Sequence, residues 1–207
     1  MKKTALIMKS KLILLLAVIT VTLSSCKDDF PYKYAEQPPA VDCDQINQTL
    51  LNEAMYSFQE DVAVHYNFRN YSPTTPVYYQ WGFGNYVYNG SQGVAPYEEI
   101  MSEHTKLVLL ALIKEEGLFT KKTGQFALNY KHPVVTCLID LISDETMKQT
   151  IQTLVDVDQM QAHLLAEPLR KNIKRLLDDK NLVLFIGLST YYPRLMNKGV
   201  HLTQASE

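Results

Sequence analysis

The 207-residue chain has no apolar run long enough to cross a membrane as a helix. A span needs roughly 20 apolar residues, and the best candidate, Leu12–Leu23, is shorter and ends among Thr22, Ser24 and Ser25. The short motifs that carry chemistry are missing as well. There is no His-x-x-x-His or His-Glu-x-x-His, so the common helical zinc arrangement is absent, and no Glu-x-x-His, which argues against a di-iron carboxylate bundle. Gly-x-Ser-x-Gly, the P-loop and Cys-x-x-Cys are absent too. Gly82-Phe83-Gly84 is a fragment without a third glycine, and Ser91 sits in the turn-like stretch Asn89–Gly93. Asp178 and Asp179 point different ways on a helix and read as solvated surface or a helix stop. Asp61 and His65, one turn apart beside Glu60, come nearest to a metal or hydrolytic site. Two ligands fall short of the usual three or four, and such a pair is more simply a helix-surface ion pair or hydrogen bond. His104 reads as a satisfied core histidine. The expectation is a non-enzymatic protein with no catalytic residues, no metal and no cofactor.

What is present begins at the N-terminus. Lys2, Lys3, Lys9 and Lys11 precede the apolar run, and small residues come after it, which is the layout of a secretory signal. The sequence Leu23-Ser24-Ser25-Cys26 resembles the lipobox of bacterial lipoproteins. That resemblance implies that Cys26 becomes the first mature residue and carries acyl chains, each buried methylene contributing roughly 0.8 kcal/mol to membrane attachment. Lys27-Asp28-Asp29 resembles the export signal of surface-exposed lipoproteins of the Bacteroidota, which implies an outer-membrane, cell-surface location. Removing residues 1–25 takes four lysines and no acid, leaving 16 basic against 22 acidic residues and a formal charge of −6. An acidic domain gains nothing from phosphate backbones, so nucleic acid is excluded as the expected partner, and anionic lipid offers no attraction by charge.

Three cysteines remain to be placed. With Cys26 acylated, Cys43 and Cys137 are either a disulfide, which the cell envelope permits, or two separate buried thiols. Sequence alone leaves both open.

Residues 1–25 thus read as signal peptide and 26–41 as acylated cysteine plus a proline-containing, extended tether. Residues 42–200 read as one domain and 201–207 as a tail. Within the domain, Asp42 or Asp44 is a candidate cap for a helix whose apolar stripe is Ile46, Leu50, Ala54, Phe58 and Val62, widened by Leu51, Met55 and Tyr66. A second helix is expected from Pro96 to Gly117, apolar nearly all round in its C-terminal half and therefore central. Further helices are expected from His132-Pro133, from a Ser143 cap, from Asp158, and along the apolar pattern Ile173–Leu188 until Pro193 ends or kinks it. Five to seven helices and hardly any strand signal predict an all-α, single-domain bundle carrying one irregular aromatic segment.

That segment is the one unusual local feature. Ten of the 21 aromatics fall between Tyr66 and Tyr97. Val77, Tyr79, Trp81 and Phe83 alternate as in a strand, with Gly84-Asn85 as a possible turn, yet Tyr79, Phe83 and Tyr86 also suit a short helix. Tyr78, Tyr79, Trp81, Phe83, Tyr86 and Tyr88 are the candidate contact residues. Tyrosine and tryptophan pair an apolar body with a polar tip, which suits a protein interface or a glycan platform, and equally a lid over the bundle. The basic run Arg170–Arg175 reads as a solvated helix face. Together these features predict an accessory subunit or interaction module of an outer-membrane protein complex, with glycan binding as the alternative.

Overall fold

The computed structural model describes residues 30–43 and 47–200. The expected signal peptide, Cys26, Lys27, Asp28, Asp29, Asp44, Ile46 and the tail 201–207 lie outside the described residues. The chain divides after Pro31, and all of its described helices and strands belong to the unit beginning at Tyr32.

Helix α1 (Gln48–His65) is the axis of that unit. Asn47, rather than Asp42, caps it by accepting the Leu50 N–H at 3.2 Å. The apolar stripe falls where its spacing predicts, and Leu51, Ala54, Phe58 and Val62 are sealed from solvent. Each fully buried Leu or Phe contributes about 1.5–3 kcal/mol, so α1 holds a large share of the core. Helices α2 (Pro76–Ser91) and α4 (Glu103–Leu112) pack against it.

The aromatic segment is neither irregular nor a hairpin, because α2 occupies 16 residues of it. Pro76 starts the helix, where its missing N–H costs nothing. Tyr78, Gly82, Phe83, Tyr86, Val87 and Gly90 then share one buried face at helical spacing. A Cβ at Gly82 would stand 2.4 Å from the Ala63 Cα, so the missing side chain is what lets α1 and α2 approach so closely.

The helix expected from Pro96 to Gly117 is two. Helix α3 (Tyr97–Ile100) stops at Met101, whose backbone is extended, and Ser102 caps α4 by accepting the Thr105 N–H at 3.2 Å. Nor is α4 central. Val108, Leu109 and Leu112 are buried, but Leu107, Leu110 and Ile113 are half-covered. The polar stretch after it contains an antiparallel hairpin, β1 (Phe119–Lys122) and β2 (Gln125–Leu128), with Lys122 opposite Gln125. Thr123 and Gly124 both have positive φ (50° and 84°), the backbone of a two-residue type I′ loop.

Helix α5 (Pro133–Asp140) opens at His132, as its sequence predicts. Helix α6 (Glu145–Asp156) is capped by Asp144, one residue past the expected Ser143. Helices α7 (Ala162–Lys171), α8 (Ile173–Leu176) and α9 (Lys180–Ile186) come next. Asp178 and Asp179 stand at the helix stop after Leu176, Asp178 exposed and Asp179 not solvated. Buried Asp179 caps α9 through Oδ1, and its Oδ2 accepts both the Ser143 N–H (2.6 Å) and hydroxyl (2.7 Å). A π-helical turn, Gly187–Tyr191, carries the chain from α9 into α10 (Tyr192–Asn197). The wide turn lets the helix run on through Pro193, which neither ends it nor starts a loop. The fold is all-α apart from the one hairpin. Its helical segments outnumber the five to seven expected because long patterns are broken into pieces.

The expected tether is shorter than its sequence suggests. Tyr32 to Cys43 forms a strap along the domain, with Ala40, Val41 and Cys43 buried. The Ala40 N–H donates to Asn52 Oδ1 at 2.6 Å, while the Tyr56 hydroxyl and Lys180 Nζ donate to the Pro38 carbonyl at 2.8 and 3.1 Å. The packed domain therefore begins near Tyr32, not at residue 42. Cys43 ends the strap and is bonded to Cys137 on α5, closing a loop across 94 residues of sequence.

Candidate functional site

Helix α2 sorts the six candidate aromatics by face. Tyr78, Phe83 and Tyr86 are core residues. Phe83 and Tyr86 pack edge-on against Phe58 at 5.5 and 4.9 Å, and the Tyr86 hydroxyl lies 3.0 Å from Thr190 Oγ1. Tyr79 is half-buried, its hydroxyl donating to Glu60 Oε2 at 3.4 Å. Trp81 is half-exposed and Tyr88 is 60% exposed, two turns apart on the outer face with Asn85 between them. The loop before α2 brings more to this side. Tyr71 meets Trp81 at 6.1 Å, the Arg69 guanidinium lies 4.2 Å over the indole, and Phe68 is 70% exposed beside Tyr66. The outward aromatic face is therefore Phe68, Tyr71, Trp81 and Tyr88 with Arg69, half of its rings outside the six candidates that the sequence suggests. The Trp81 indole N–H has no hydrogen-bond partner.

A second group, a buried polar seam, lies between α1 and α4. Glu53, fully buried, accepts the Tyr34 N–H through Oε1 (2.6 Å) and meets His104 Nε2 through Oε2 (2.6 Å). Two turns on, Asp61 Oδ2 accepts the Ser102 N–H (3.2 Å) and the Tyr191 hydroxyl (2.9 Å). Burial raises the Asp61 carboxyl above its ordinary range, against the pull of bonds from Thr105, Ser102 and Tyr191. Burial, then the neighbouring Asp61 carboxylate, drives the Tyr191 phenol well up. Asp61 is thus not paired with His65, whose ring packs edge-on against Tyr66 at 4.7 Å. Spacing suggests the seam in hindsight, since Glu53, Ser57 and Asp61 repeat every four residues beside the apolar stripe.

A third feature has no counterpart in any local sequence pattern. An open cleft of about 760 Å³ lies between the hairpin, the first turn of α7 and the end of the π turn and α10. Lys122, His163 and Arg194 line it together with Gln92, Gln125 and Gln161, and no Asp or Glu does. Tyr130 lies at its inner side, its phenol pushed up to about 12 by burial. Asn197 fixes the hairpin to α10, its side-chain amide bonding Phe126 N–H (2.7 Å) and C=O (2.9 Å).

The basic run on α7 and α8 is a solvated face, with Arg170 and Lys171 on Glu167 and Arg175 3.6 Å from Asp144. Among the described residues, no group of three or more His, Cys, Asp or Glu side chains is placed to hold a metal, and no helix is long and apolar enough to cross a membrane. No family model, curated protein or solved structure matches the chain.

Proposed function

We propose that this protein is a non-catalytic lipoprotein, acylated at Cys26 and displayed on the outer membrane, that serves as an interaction module or accessory subunit of an outer-membrane protein complex. The observation that carries the docking role is half-exposed Trp81, with Tyr71 at its edge and Arg69 over its ring, and Tyr88 exposed two turns further along α2. Large aromatics with an arginine are the composition of interface anchors. Anchoring rests on Leu23–Cys26, and surface display on Lys27-Asp28-Asp29. Five residues lie between Cys26 and Tyr32, a reach of at most about 20 Å even fully extended. A partner embedded in the same membrane suits so short a lead.

A flat glycan platform on α2 would need two or three of its six rings exposed in one plane. Tyr78, Phe83 and Tyr86 are core residues, which leaves Trp81 and Tyr88, with Asn85 between them, as the rings that a glycan could use in place of a protein partner.

Affinity purification of the tagged, natively anchored protein from detergent-solubilised outer membranes tests the docking role. Stoichiometric recovery of an envelope protein is expected with wild type and not with Trp81→Ala/Tyr88→Ala of unchanged melting temperature. Recovery of the lipoprotein alone would overturn it. For display, Asp28→Ala/Asp29→Ala should protect the protein from protease added to intact cells. Equal cleavage of wild type and variant would count against that part.

A further inference from the structure

The cleft beside the hairpin is electrostatically out of character with its surroundings. The chain after residue 25 carries a formal −6, yet this cleft gathers Lys122 and Arg194 and is lined by no carboxylate. Arg194 has no acidic partner among the described residues. Lys122 is held from outside the cleft lining by Asp158 at 3.2 Å, and three cations of the basic run Arg170–Arg175 likewise have carboxylates within 3.6 Å, so Arg194 is the cation left open. In an acidic protein, a cavity that keeps cations and excludes acids has a local potential opposite to the net charge, and walls of low dielectric focus it.

The remaining side chains narrow the ligand further. Gln92, Gln125 and Gln161 line the same cleft, and none of their amides is bonded within the fold. An amide carries donors and an acceptor, which suits neighbouring hydroxyls on a sugar. Phe126 and Tyr130 supply ring surface. The first turn of α7 reaches the cleft without a side-chain cap on Gln161, so the positive end of that helix adds to the field. The wall opposite is fixed, since the π turn sends Tyr191 inward to Asp61 while Ser189 and Arg194 line the cleft. At about 760 Å³ the space lies within the range of small-ligand sites.

The positive character also has direction. A second hollow of about 430 Å³ shares Lys122, Leu128 and Tyr130 with the first and adds Lys121 and Lys131. Its one carboxylate, Asp158, is bonded to Lys122 at 3.2 Å. A third hollow, beyond Tyr130 and Lys131, brings Asp140 and Asp156 and ends the track. The result is a run of adjoining hollows, cationic at intervals, with the unbonded glutamine amides confined to the first.

We propose that this groove binds an acidic oligosaccharide, its carboxylate or sulfate groups on Arg194 and Lys122 and its hydroxyls on the glutamine amides. The cleft reaches the end of α2 at Ser91 and Gln92, but none of Phe68, Tyr71, Trp81 and Tyr88 lines it and it needs no partner protein, so it stands or falls separately from the docking role.

Isothermal titration of the full mature chain in detergent, with four saccharide or peptide probes, decides the matter. Tetragalacturonate presents carboxylates, a heparin-derived tetrasaccharide presents sulfates, maltotetraose is neutral, and tetraglutamate presents carboxylates without sugar. Binding of one or both acidic sugars is expected, weakening as salt rises, with maltotetraose and tetraglutamate at least tenfold weaker. Which acidic sugar binds tells carboxylate from sulfate recognition. Arg194→Glu should reduce that affinity at least tenfold and Lys122→Glu several-fold, while Lys174→Glu, a charge reversal outside the groove, leaves it unchanged. Melting curves confirm that each variant is folded, and either groove variant suffices should the other fail to fold. No binding of either acidic sugar overturns the proposal. So does equal binding of maltotetraose or tetraglutamate, or undiminished affinity in a folded groove variant.

Discussion

The polar groups of this protein fall into two assemblies treated in opposite ways. In the seam between α1 and α4, Glu53 and Asp61 are buried, and each carboxylate takes two or more partners from the strap, α4 or the π turn. Around the cleft, Gln92, Gln125, Gln161 and Arg194 are largely exposed, and none is bonded within the fold. Burying a polar group without a partner costs roughly 1–3 kcal/mol, so each seam carboxylate stabilises the domain only while its partners stay in place. The cleft carries no such obligation and leaves its hydrogen-bonding capacity for something else. Polar character alone does not mark a functional surface here. What separates the two is whether the fold has already used the groups.

Variants can break that contrast from either side. The largest effect is expected where the strap is stapled beside the seam. Cys43→Ser/Cys137→Ser should lower unfolding free energy by about 4 kcal/mol in urea titrations, as the chain-entropy model gives for so long a loop. A loss below about 1 kcal/mol would show that the strap holds without its bridge. Next is Glu53→Ala, which removes the acceptor of the Tyr34 N–H and the His104 contact and should cost about 2–3 kcal/mol. Glu53→Gln, retaining an acceptor, should cost less than half as much, and equal losses would mean that packing rather than bonding holds the seam.

Asp61 gives a smaller effect with a definite sign. Its raised carboxyl favours folding fully below the ordinary carboxylate range, and that contribution is lost as pH climbs through the folded value. Asp61→Asn stays neutral while its amide oxygen can still accept from Ser102 and Tyr191. It should therefore melt above wild type at pH 7, with the gap closing towards pH 4. A variant that melts lower at pH 7 and no differently at pH 4 would reverse the sign. The smallest effect belongs to the cleft, where Arg194→Ala should change stability by no more than about 0.5 kcal/mol. A larger loss in thermal unfolding would move Arg194 from the open assembly to the closed one.

Sequence reached some of this architecture and not the rest, for reasons visible in single residues. The stripe Leu50, Ala54, Phe58 and Val62 was readable because four-residue spacing admits one interpretation. Helix α2 was not, because alternate aromatics such as Tyr79, Trp81 and Phe83 fit a strand equally well and Gly82 and Gly84 weaken any helix by propensity. The hairpin stayed hidden because Thr123 stands where such a loop usually shows Asn or Asp. Pro38-Pro39 made the strap look like linker, although the apolar Ala40, Val41 and Cys43 that bury its end were in plain view. Half of the candidate aromatics proved to be core for a related reason, since tyrosine looks the same in sequence whether its hydroxyl meets Thr190 or water. The cleft is built by residues from Ser91 to Asn197, and no local pattern brings such distant positions together.

The bridge between Cys43 and Cys137 also governs how the domain carries load. A pull on the chain ahead of Tyr32 first meets the hydrogen bonds of the strap, at Glu53, Asn52 and Tyr56. These can peel one after another. At Cys43 the peeling stops, because the covalent link hands the force directly to α5, 94 positions further along the chain, and bypasses all that lies between. Helices α1 to α4 and the hairpin sit inside that bypassed loop and feel none of the tension along their backbone. Forced unfolding is a matter of rate rather than equilibrium, and here the route that would unravel the core from the strap end is closed by a single bond.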